Sequence, residues 1–299
     1  MAEHGNPSVP IPVSKPLRET LRRWPQWSSK LQSEPHLKGS LNSGLSHQTY
    51  LVGNDETLFA VRIENHGSRA LAMTREQEIF LMGLVDNLAP GIVWADSASL
   101  VTAYIEGEPW QPIQNLDVLC QSLHQLHSQN CELPSFDLLR HCDRYWDSVI
   151  QSSGKQLPPD SIRLFAQARH ALVKILDEHP DQCLCHNDLN PDNILYRNST
   201  FYFLDWEYAC YNSPYFELAS LAEFFNLSEK QTQLLSNTYW SNSGLKSLKT
   251  KSETSHHNSL KLFRFVVRFT EWLWLTLKQP EYVDKCEKRL KNLLNALQD

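Results

Sequence analysis

The sequence predicts an α+β chain of two lobes, with a small strand-rich N-terminal lobe and a larger helical C-terminal lobe. Residues 36–64 contain three short apolar segments separated by turn residues, which is typical of antiparallel strands. From Asn115 onward helical segments dominate, interrupted between 183 and 209 by two short strands and a dense polar cluster. The predicted division is a flexible arm over 1–16, an N-lobe over 17–103 and a C-lobe over 104–299.

The N-lobe is predicted from strand alternation and turn chemistry. A short helix is expected around Leu17–Trp27, and turns at 42–46 and 53–55 separate the three strands. Alternation in "TLFAVRIE" sets Arg62 on the face opposite Phe59 and Val61. An edge-strand arginine facing solvent would give the same pattern. A helix capped by Thr74 and two further strands around 95–99 complete the lobe.

Composition excludes several classes of protein. The 299 residues are 41% hydrophobic and 21% charged, with a formal net charge of −6, so electrostatics give no reason to expect a nucleic-acid partner. Seven scattered cysteines do not form a disulfide framework, and the N-terminus has no apolar signal-peptide region. No segment is apolar enough for a membrane span. We therefore expect a cytoplasmic protein without a membrane partner. The polar 241–260 segment is expected to be a loop.

The polar cluster lies in "CHNDLNPDNILYRNSTFYFLDWEYA". Asp188 and Asn193 are separated by four residues, and Asp205 ends a strand that can pair with "NILYR". The hairpin would bring Asp205 beside Asn193. Carboxylate and amide oxygens are the ligands that Mg²⁺ prefers, usually beside phosphate groups. The pattern therefore favours a phosphoryl-transfer centre.

A polar turn and a thiol metal site are weaker interpretations of this cluster. Asp188 and Asp205 could be ordinary turn residues. Cys183, Cys185 and His186 could hold a metal, but their spacing is wrong for a structural zinc site and the sequence offers no second half-site. A purely structural helical scaffold would leave the two spaced Asp motifs unexplained.

The cluster and its surroundings resemble the kinase-like small-molecule phosphotransferases, which include aminoglycoside, choline/ethanolamine and thiamine kinases. "HNDLNPDN" followed by "DWE" is similar to the H-R-D-x-x-x-x-N and D-F-G motifs of protein kinases. Asn187 replaces the arginine of that motif, which argues against control through an activation loop. "NSGLSHQTYLV", "FAVRIE" and "DWEYA" are closest to the choline and thiamine kinase branch. The resemblance covers residues from about 40 to 221 and implies a two-lobed, protein-kinase-like fold.

The resemblance implies a role for each matching residue, with ATP and Mg²⁺ as cofactors. Asp188 would accept or orient the substrate hydroxyl. The metal ligands would be Asn193 and Asp205. The predicted nucleotide contacts are Arg62 with its ion-pair partner Glu76, the phosphate-covering loop Ser43, Gly44, Leu45 and Ser46, and the adenine-binding backbone of Ala103, Tyr104 and Ile105. His186 is expected to brace the loop rather than carry a proton.

The acceptor is expected to be a small cationic alcohol, because the resembling branch phosphorylates such molecules. Cations bind aromatic faces beside carboxylates. Candidate acceptor residues are Glu207, Tyr208, Trp272 and Trp274, with Glu217 and Glu271 as candidate counter-charges. Glu207 could instead assist the magnesium ion or lie at the surface. The two tryptophans diverge by about 200° on a helix, so at most one would face the pocket, and core packing is the alternative for both. The motifs favour thiamine over choline or ethanolamine as the acceptor. The alternatives are an aminoglycoside or amino-alcohol kinase, and a nucleotide-binding pseudokinase without turnover.

Overall fold

A computed structural model of the chain describes residues 13–27, 31–43, 47–64, 73–85, 87–133, 135–152, 157–242 and 251–297. It divides into two compact units, with the boundary between Glu106 and Gly107. Gly44, Leu45 and Ser46 of the predicted phosphate-covering loop, the side chain of Ser43 and most of the predicted N-terminal arm lie outside the described residues.

The first unit is built on a five-stranded antiparallel sheet with strand order β1-β2-β3-β5-β4. The strands are β1 (His36–Ser43), β2 (His47–Gly53), β3 (Leu58–Glu64), β4 (Ile92–Ala95) and β5 (Ser99–Ala103). Two helices, α1 (Lys15–Arg22) and α2 (Arg75–Leu84), accompany the sheet. Helix α1 begins inside the predicted arm, because Ser14 caps it and Pro16 occupies its first turn.

The turn between β2 and β3 shows why the predicted hairpin forms. A Cβ at Gly53 would lie 2.3 Å from the Thr57 carbonyl oxygen, so only glycine fits there without a shift. The Asn54 side chain accepts hydrogen bonds from the backbone N–H groups of Glu56 and Thr57, at 3.0 and 2.9 Å. The turn therefore fixes the register of β2 against β3.

Strand β3 is central in the sheet, which excludes the edge position considered for Arg62. One face of the sheet packs Val52, Phe59, Val61 and Val101 against Leu17 and Trp27 from the α1 region. Arg62 is also buried, at 7% exposure. A buried arginine in a central strand requires nearby carboxylates.

The second unit is mainly helical. Its helices are α3 (Leu116–His127), α4 (Leu138–Ser152), α5 (Pro159–Glu178), α6 (Pro214–Phe224), α7 (Glu229–Asn242), α8 (Glu253–Lys278) and α9 (Val283–Asn295). Its short strands are β6 (Glu108–Pro109), β7 (Cys183–Cys185), β8 (Ile194–Arg197), β9 (Thr200–Phe203) and β10 (Cys210–Asn212). They form a β6-β8-β9 sheet and a β7-β10 pair. Helix α8 packs against α4, α6, α7 and α9, so it forms the centre of the helical core.

The polar 241–260 segment, expected to be a loop, is helical at its described ends, because α7 includes residues 241 and 242; residues 243–250 lie outside the described residues. Ser252 caps α8 by accepting the Ser255 N–H, so the helix already includes residues 253–260. Within the described residues, each helix is too short or too polar to cross a bilayer.

Candidate active site

The β8-β9 hairpin brings Asn193 beside Asp205, as the sequence predicts. The strands pair from Ile194 opposite Phe203 to Arg197 opposite Thr200. Beyond the paired ends, the Leu204 N–H donates to the Asn193 carbonyl oxygen at 2.9 Å. Asp205 follows directly, with a left-handed φ of 61°. A non-glycine residue in this conformation is strained, which is common at functional sites.

Asp188 is held in place by amide groups of its own loop, which spans residues 186–193 and is called the Asp188 loop below. The Asn193 side-chain NH₂ donates to the Asp188 carboxylate at 2.8 Å and to its carbonyl oxygen at 2.9 Å. The Asn190 NH₂ donates to the other carboxylate oxygen at 3.1 Å. These hydrogen bonds fix the orientation of the carboxylate without neutralising its charge.

The protonation of Asp188 is shifted by its surroundings. Burial and the neighbouring Asp205 carboxylate together raise the pKa of Asp188 from 3.8 to about 7. The hydrogen bonds from Asn190 and Asn193 only partly oppose this rise. Two carboxylates that repel each other across a half-buried site favour a bound cation between or beside them.

Glu217 supports the Asp188 loop through hydrogen bonds to its backbone. Its complete burial argues against the substrate counter-charge role expected from the sequence. This fully buried carboxylate on α6 accepts the His186 N–H at 2.9 Å and the Asn187 N–H at 3.0 Å. Its other oxygen lies 2.8 Å from Nε2 of His127 on α3, whose Nδ1 lies 2.5 Å from the Tyr239 hydroxyl. Sequence reasoning missed His127, because nothing in its local pattern connects it to a loop so much later in the chain.

Asn187 ties the Asp188 loop to the segment that follows Asp205. Its side-chain NH₂ donates to the carbonyl oxygen of Tyr208 at 3.0 Å, and its Oδ1 accepts from the Asn212 NH₂ at 2.7 Å. Asn187 itself has a left-handed φ of 66°. The residue that replaces the kinase-type arginine therefore holds the two halves of the site together.

His186 supports the loop structurally, in agreement with the sequence expectation. Burial lowers the pKa of its imidazole, so the ring is neutral at physiological pH. Its Nδ1 accepts the Asp188 N–H at 3.3 Å, and its ring packs on Trp206.

The described ion pairs of Arg62 correct the predicted pairing with Glu76. Arg62 Nη2 lies 2.5 and 2.7 Å from the two carboxylate oxygens of Glu78. Glu76 lies two residues earlier on α2 and is exposed, whereas Glu78 is 1% exposed. Because residues two apart on a helix point about 200° apart, Glu78 and not Glu76 faces β3.

Two of the three backbone N–H groups in the predicted adenine-binding segment already form hydrogen bonds within the first unit. The Ala103 N–H donates to the Gly91 carbonyl oxygen at 2.8 Å, and the Tyr104 N–H donates to Leu58 at 3.2 Å. Of the three predicted amides, Ile105 is the one that donates in none of the described backbone hydrogen bonds.

Glu207 and Tyr208 follow Asp205 directly, and both interact electrostatically with Tyr145, a residue that sequence reasoning did not single out. Glu207 is 2% exposed and Tyr208 is half-buried. Burial and the charge of Glu207 raise the pKa of Tyr208, and they raise the pKa of Tyr145 on α4 to about 12. The charge of Glu207 therefore acts on both phenols, and the charges of Asp188 and Asp205 also act on Tyr208.

The two tryptophans of α8 separate as helical geometry requires. Trp272 is 1% exposed, stacks on Trp146 with ring centroids 5.8 Å apart, and donates its indole N–H to Glu287 at 3.2 Å. It is a core residue, which corrects its assignment as an acceptor contact. Trp274 is half-buried. Glu271 pairs with Arg268, so its position is explained by an ion pair of the helical core.

The thiols near the loop form a different cluster from the one considered from sequence. Donor atoms of Cys183, Cys185 and His127 all lie within 4.8 Å of one another. His186 is not in this group, and both ring nitrogens of His127 are occupied by Glu217 and Tyr239. The cluster is therefore explained by hydrogen bonding under the Asp188 loop.

Comparison with curated proteins identifies similar bacterial chains. Protein LicA of Haemophilus influenzae is 26% identical over 270 residues, which cover 85% of this chain and 99% of the relative. A LicA homolog of Mycoplasma capricolum is 27% identical over 154 residues, which cover 51% of this chain and 62% of the relative.

Solved structures share the fold at lower identity. Choline kinase LicA from Streptococcus pneumoniae has a TM-score of 0.74 at 17% identity, covering 93% of this chain and 99% of that one. LicA in complex with AMP has a TM-score of 0.74 at 18% identity and covers 93% and 98%. The streptomycin–ATP complex of the aminoglycoside phosphotransferase APH(2")-IIa has a TM-score of 0.62 at 16% identity and covers 97% of each chain. The fold is thus the kinase-like fold predicted from the sequence.

Residues 40–242 match the phosphotransferase enzyme family. The matched segment includes β2 to β10 and contains Arg62, Asp188, Asn193 and Asp205. Because the match covers more than half of the sequence, the chain belongs to the phosphotransferase enzyme family.

Proposed function

We propose that this protein transfers the γ-phosphoryl group of ATP to the hydroxyl of a small cationic alcohol of the choline type. The observation that carries the proposal is the arrangement of Asp188, Asn193 and Asp205. An oriented carboxylate whose pKa is raised by burial and by Asp205 lies beside an amide and a second carboxylate, at the open end of one hairpin.

Asp188 orients the acceptor hydroxyl and takes its proton as the phosphoryl group transfers. Its hydrogen bonds to Asn190 and Asn193 fix the carboxylate before the substrate arrives, which is the main protein contribution to such reactions. With a pKa of about 7, the carboxylate is a stronger base than an exposed aspartate. It is still ionised in a large fraction of molecules at neutral pH.

Asn193 and Asp205 fit a magnesium ion. The side-chain NH₂ of Asn193 donates to Asp188, so the side-chain oxygen Oδ1 of Asn193 is the atom that would act as the metal ligand. Asp205 supplies a carboxylate whose repulsion with Asp188 a cation would relieve. When bound, Mg²⁺ would shield the phosphate charge and hold the phosphate oxygens for transfer.

The nucleotide contacts are proposed for residues of the first unit. The guanidinium of Arg62 would contact the α- and β-phosphates, and the backbone over 43–46 would cover them. The Ile105 N–H would bind the adenine edge. AMP and ATP in the named relatives' complexes support a nucleotide as the donor.

The acceptor contacts are proposed for Glu207, Tyr208 and Tyr145. A buried carboxylate and two aromatic rings on which its charge acts are the groups that bind a quaternary or primary ammonium group. Trp274 is a further candidate because it is half-buried. Choline is favoured over thiamine as the acceptor because the structurally similar LicA of Streptococcus pneumoniae is a choline kinase. An aminoglycoside is the second candidate acceptor, favoured by the streptomycin complex.

The proposal is tested by measuring ADP release with ATP and magnesium in the presence of choline, ethanolamine, thiamine, homoserine or kanamycin. We expect choline or ethanolamine to stimulate turnover most. Glu207→Gln should raise the KM for the cationic acceptor at least tenfold, since it removes the charge that pairs with the ammonium group. Its KM for ATP should stay unchanged.

The matched control is Asp192→Asn, which removes an exposed carboxylate of the Asp188 loop and should change neither constant. If ATP binds but none of the five acceptors stimulates turnover, the chain is a pseudokinase or acts on another class of acceptor, and the proposal is wrong. Preference for kanamycin would favour the aminoglycoside alternative.

A further inference from the structure

Two thiols are in contact on one face of β7, the strand that leads into the Asp188 loop. Side chains two residues apart in a strand point to the same side, so Cys183 and Cys185 lie next to each other. Their Sγ atoms are 3.6 Å apart, which is the one sulfur–sulfur contact among the described side chains. Both thiols are free and buried, at 4% and 0% exposure. Each sulfur is therefore within reach of the other once one of them is oxidised.

The spacing along β7 permits a disulfide between these two residues. Cα atoms two residues apart in a strand are about 6.6 Å apart. Disulfides join Cα atoms that are about 4.4 to 6.8 Å apart, so this pair lies near the upper limit of the range. The two sulfurs would close from 3.6 Å to about 2.05 Å, and β7 would shorten slightly. A disulfide near this limit is strained and is therefore easily reduced again, which is typical of regulatory disulfides.

His127 makes one of the two thiols the more reactive. Donor atoms of His127, Cys183 and Cys185 all lie within 4.8 Å of one another. Burial lowers the pKa of His127, but the Cys183 thiolate and Glu217 outweigh it and raise this pKa to about 10. The imidazole ring is therefore a cation at neutral pH.

This cation and the neighbouring thiol separate Cys183 from the other cysteines. Burial raises the pKa of Cys183, but the hydrogen bond with Cys185 and the charge of His127 more than reverse this effect and lower it to about 6. The pKa values of the other six thiols are raised, in each case chiefly by burial. Because the thiolate is the nucleophile in thiol oxidation, Cys183 is the thiol that reacts first, and Cys185 is the neighbour that can complete a disulfide.

We propose that Cys183 and Cys185 form a redox modification site that hydrogen peroxide closes to a disulfide, and that the disulfide loosens the Asp188 loop. The Cys183 thiolate attacks one peroxide oxygen, the O–O bond breaks, and the other oxygen leaves as water after taking up a proton. Cys185 then attacks the sulfur of the resulting sulfenic acid, the S–O bond breaks, and a second water leaves as the S–S bond forms. The two thiols lose two electrons and two protons, and one peroxide is reduced to two waters.

The disulfide acts on the loop through the end of β7. Cys185 directly precedes His186, whose N–H donates to Glu217 at 2.9 Å, and the Asn187 N–H donates to the same carboxylate at 3.0 Å. Shortening β7 would move both N–H groups relative to Glu217. Oxidation also removes the Cys183 thiolate, which is the second anion beside the His127 ring that binds Glu217. Both changes weaken the support of the Asp188 loop.

The first test maps the oxidised sulfurs in the folded protein. The reduced chain is treated with hydrogen peroxide, remaining thiols are alkylated, and the tryptic peptide over 175–197 is analysed by mass spectrometry; it contains Cys183 and Cys185 as its two cysteines. We expect this peptide to lose two hydrogen atoms and to regain them with dithiothreitol. Cys185→Ser should stop at a Cys183 sulfenic acid that dimedone traps, and Cys183→Ser should leave Cys185 reduced.

The matched control is Cys131→Ser, which removes a partly exposed thiol that lies outside the described sulfur–sulfur contact. It should form the disulfide as the wild type does. Thermal unfolding confirms that each variant is folded, and the peptide map of the wild type decides the question should a variant fail to fold. A 175–197 peptide that keeps both thiols reduced while Cys131 is oxidised would overturn the proposal. A disulfide that joins Cys185 to Cys210 on the neighbouring strand β10 would overturn it as well.

The second test measures the effect on the Asp188 loop without using catalysis. Hydrogen exchange of the His186 and Asn187 amides should become about tenfold faster in the oxidised wild type and return to its original rate with dithiothreitol. Cys183→Ser should show no change with peroxide. Exchange that is unaffected by the disulfide would overturn the proposed action on the loop.

Turnover is a third measurement, and it alone depends on the proposed function. ADP release with the best acceptor should fall about tenfold in the oxidised wild type, because the Asp188 loop is less well held. A chain that forms the disulfide and exchanges faster, but phosphorylates none of the acceptors when reduced, removes the kinase proposal and leaves the redox site standing. A chain that turns over an acceptor but forms no disulfide removes the redox site and leaves the kinase proposal standing.

Discussion

Asp188 and Glu223 lie in the same helical unit, yet their surroundings shift the pKa of the carboxylate in opposite directions. Glu223 on α6 receives Arg268 at 2.6 Å, Arg289 at 2.9 Å and a further pair with Arg264. Burial raises its pKa, but these arginines more than reverse that effect and lower the pKa to about 2. The described hydrogen-bond donors to the Asp188 carboxylate are neutral side-chain amides, and the pKa of Asp188 rises to about 7.

The difference separates a carboxylate that stabilises the fold from one that is available for chemistry. Three arginines hold Glu223 permanently ionised and tie α6 to α8 and α9. The Asp188 carboxylate is oriented but its charge is not neutralised, so a cation or a proton from outside the protein can bind to it. Variants of the two residues should therefore change different properties.

The largest expected effect is the loss of turnover in Asp188→Asn. The change preserves shape but removes the base that orients the acceptor, so kcat should fall by roughly 10³-fold or more. Phosphate transfer to the best acceptor, measured by ADP release, checks this. Asp192→Asn is the control on the same loop and should retain activity. Activity of Asp188→Asn within tenfold of the wild type would contradict the proposed catalytic role of Asp188.

Glu223→Gln should show the reverse profile, with lost stability and retained turnover. Arginine does not give up its proton, so three cations would lose their shared counter-charge and the free energy of unfolding should fall by about 3 kcal/mol. Urea unfolding measures the loss, and kcat at 20 °C should stay within twofold. A large fall in kcat without a stability loss would contradict the comparison.

Glu217→Gln should lie between these two cases. His127 can release its proton once the carboxylate charge is removed, so the stability loss should be smaller, about 2 kcal/mol. Glu217 also holds the His186 and Asn187 N–H groups, so kcat should fall by about tenfold. Unfolding and turnover are measured on the same preparation. Unchanged turnover would show that the Asp188 loop keeps its shape without this brace.

The smallest expected effect is a pH dependence of stability that comes from Asp188. Its pKa is raised on folding, so the folded chain binds more protons than the unfolded chain between about pH 4 and 7. Stability from this group is present at low pH and is lost as the pH rises through about 7. Wild type should therefore lose about 1 kcal/mol or more relative to Asp188→Asn between pH 5 and 8. Urea unfolding at both pH values checks this, and a constant difference would contradict the raised pKa.

The sequence by itself determined the local elements and predicted which residues form the proposed site. Turn residues and strand alternation predict β1 to β3, and the Asp188, Asn193 and Asp205 spacing predicts their meeting at the end of a hairpin. These features are local, because each depends on residues that are close to one another along the chain. The kinase-like fold and the phosphotransferase family followed from the same motifs.

Only the tertiary structure decided which distant charges meet. Glu78, and not the expected Glu76, is the described partner of Arg62, because residues two apart on α2 point about 200° apart and only the Glu78 side faces β3. His127 reaches Glu217 across separate helices, and Trp272 turns into the core while Trp274 is only half-buried. Burial and long-range pairing depend on how helices and strands pack together. A linear pattern can propose several partners for a charge, but packing leaves space for only some of them.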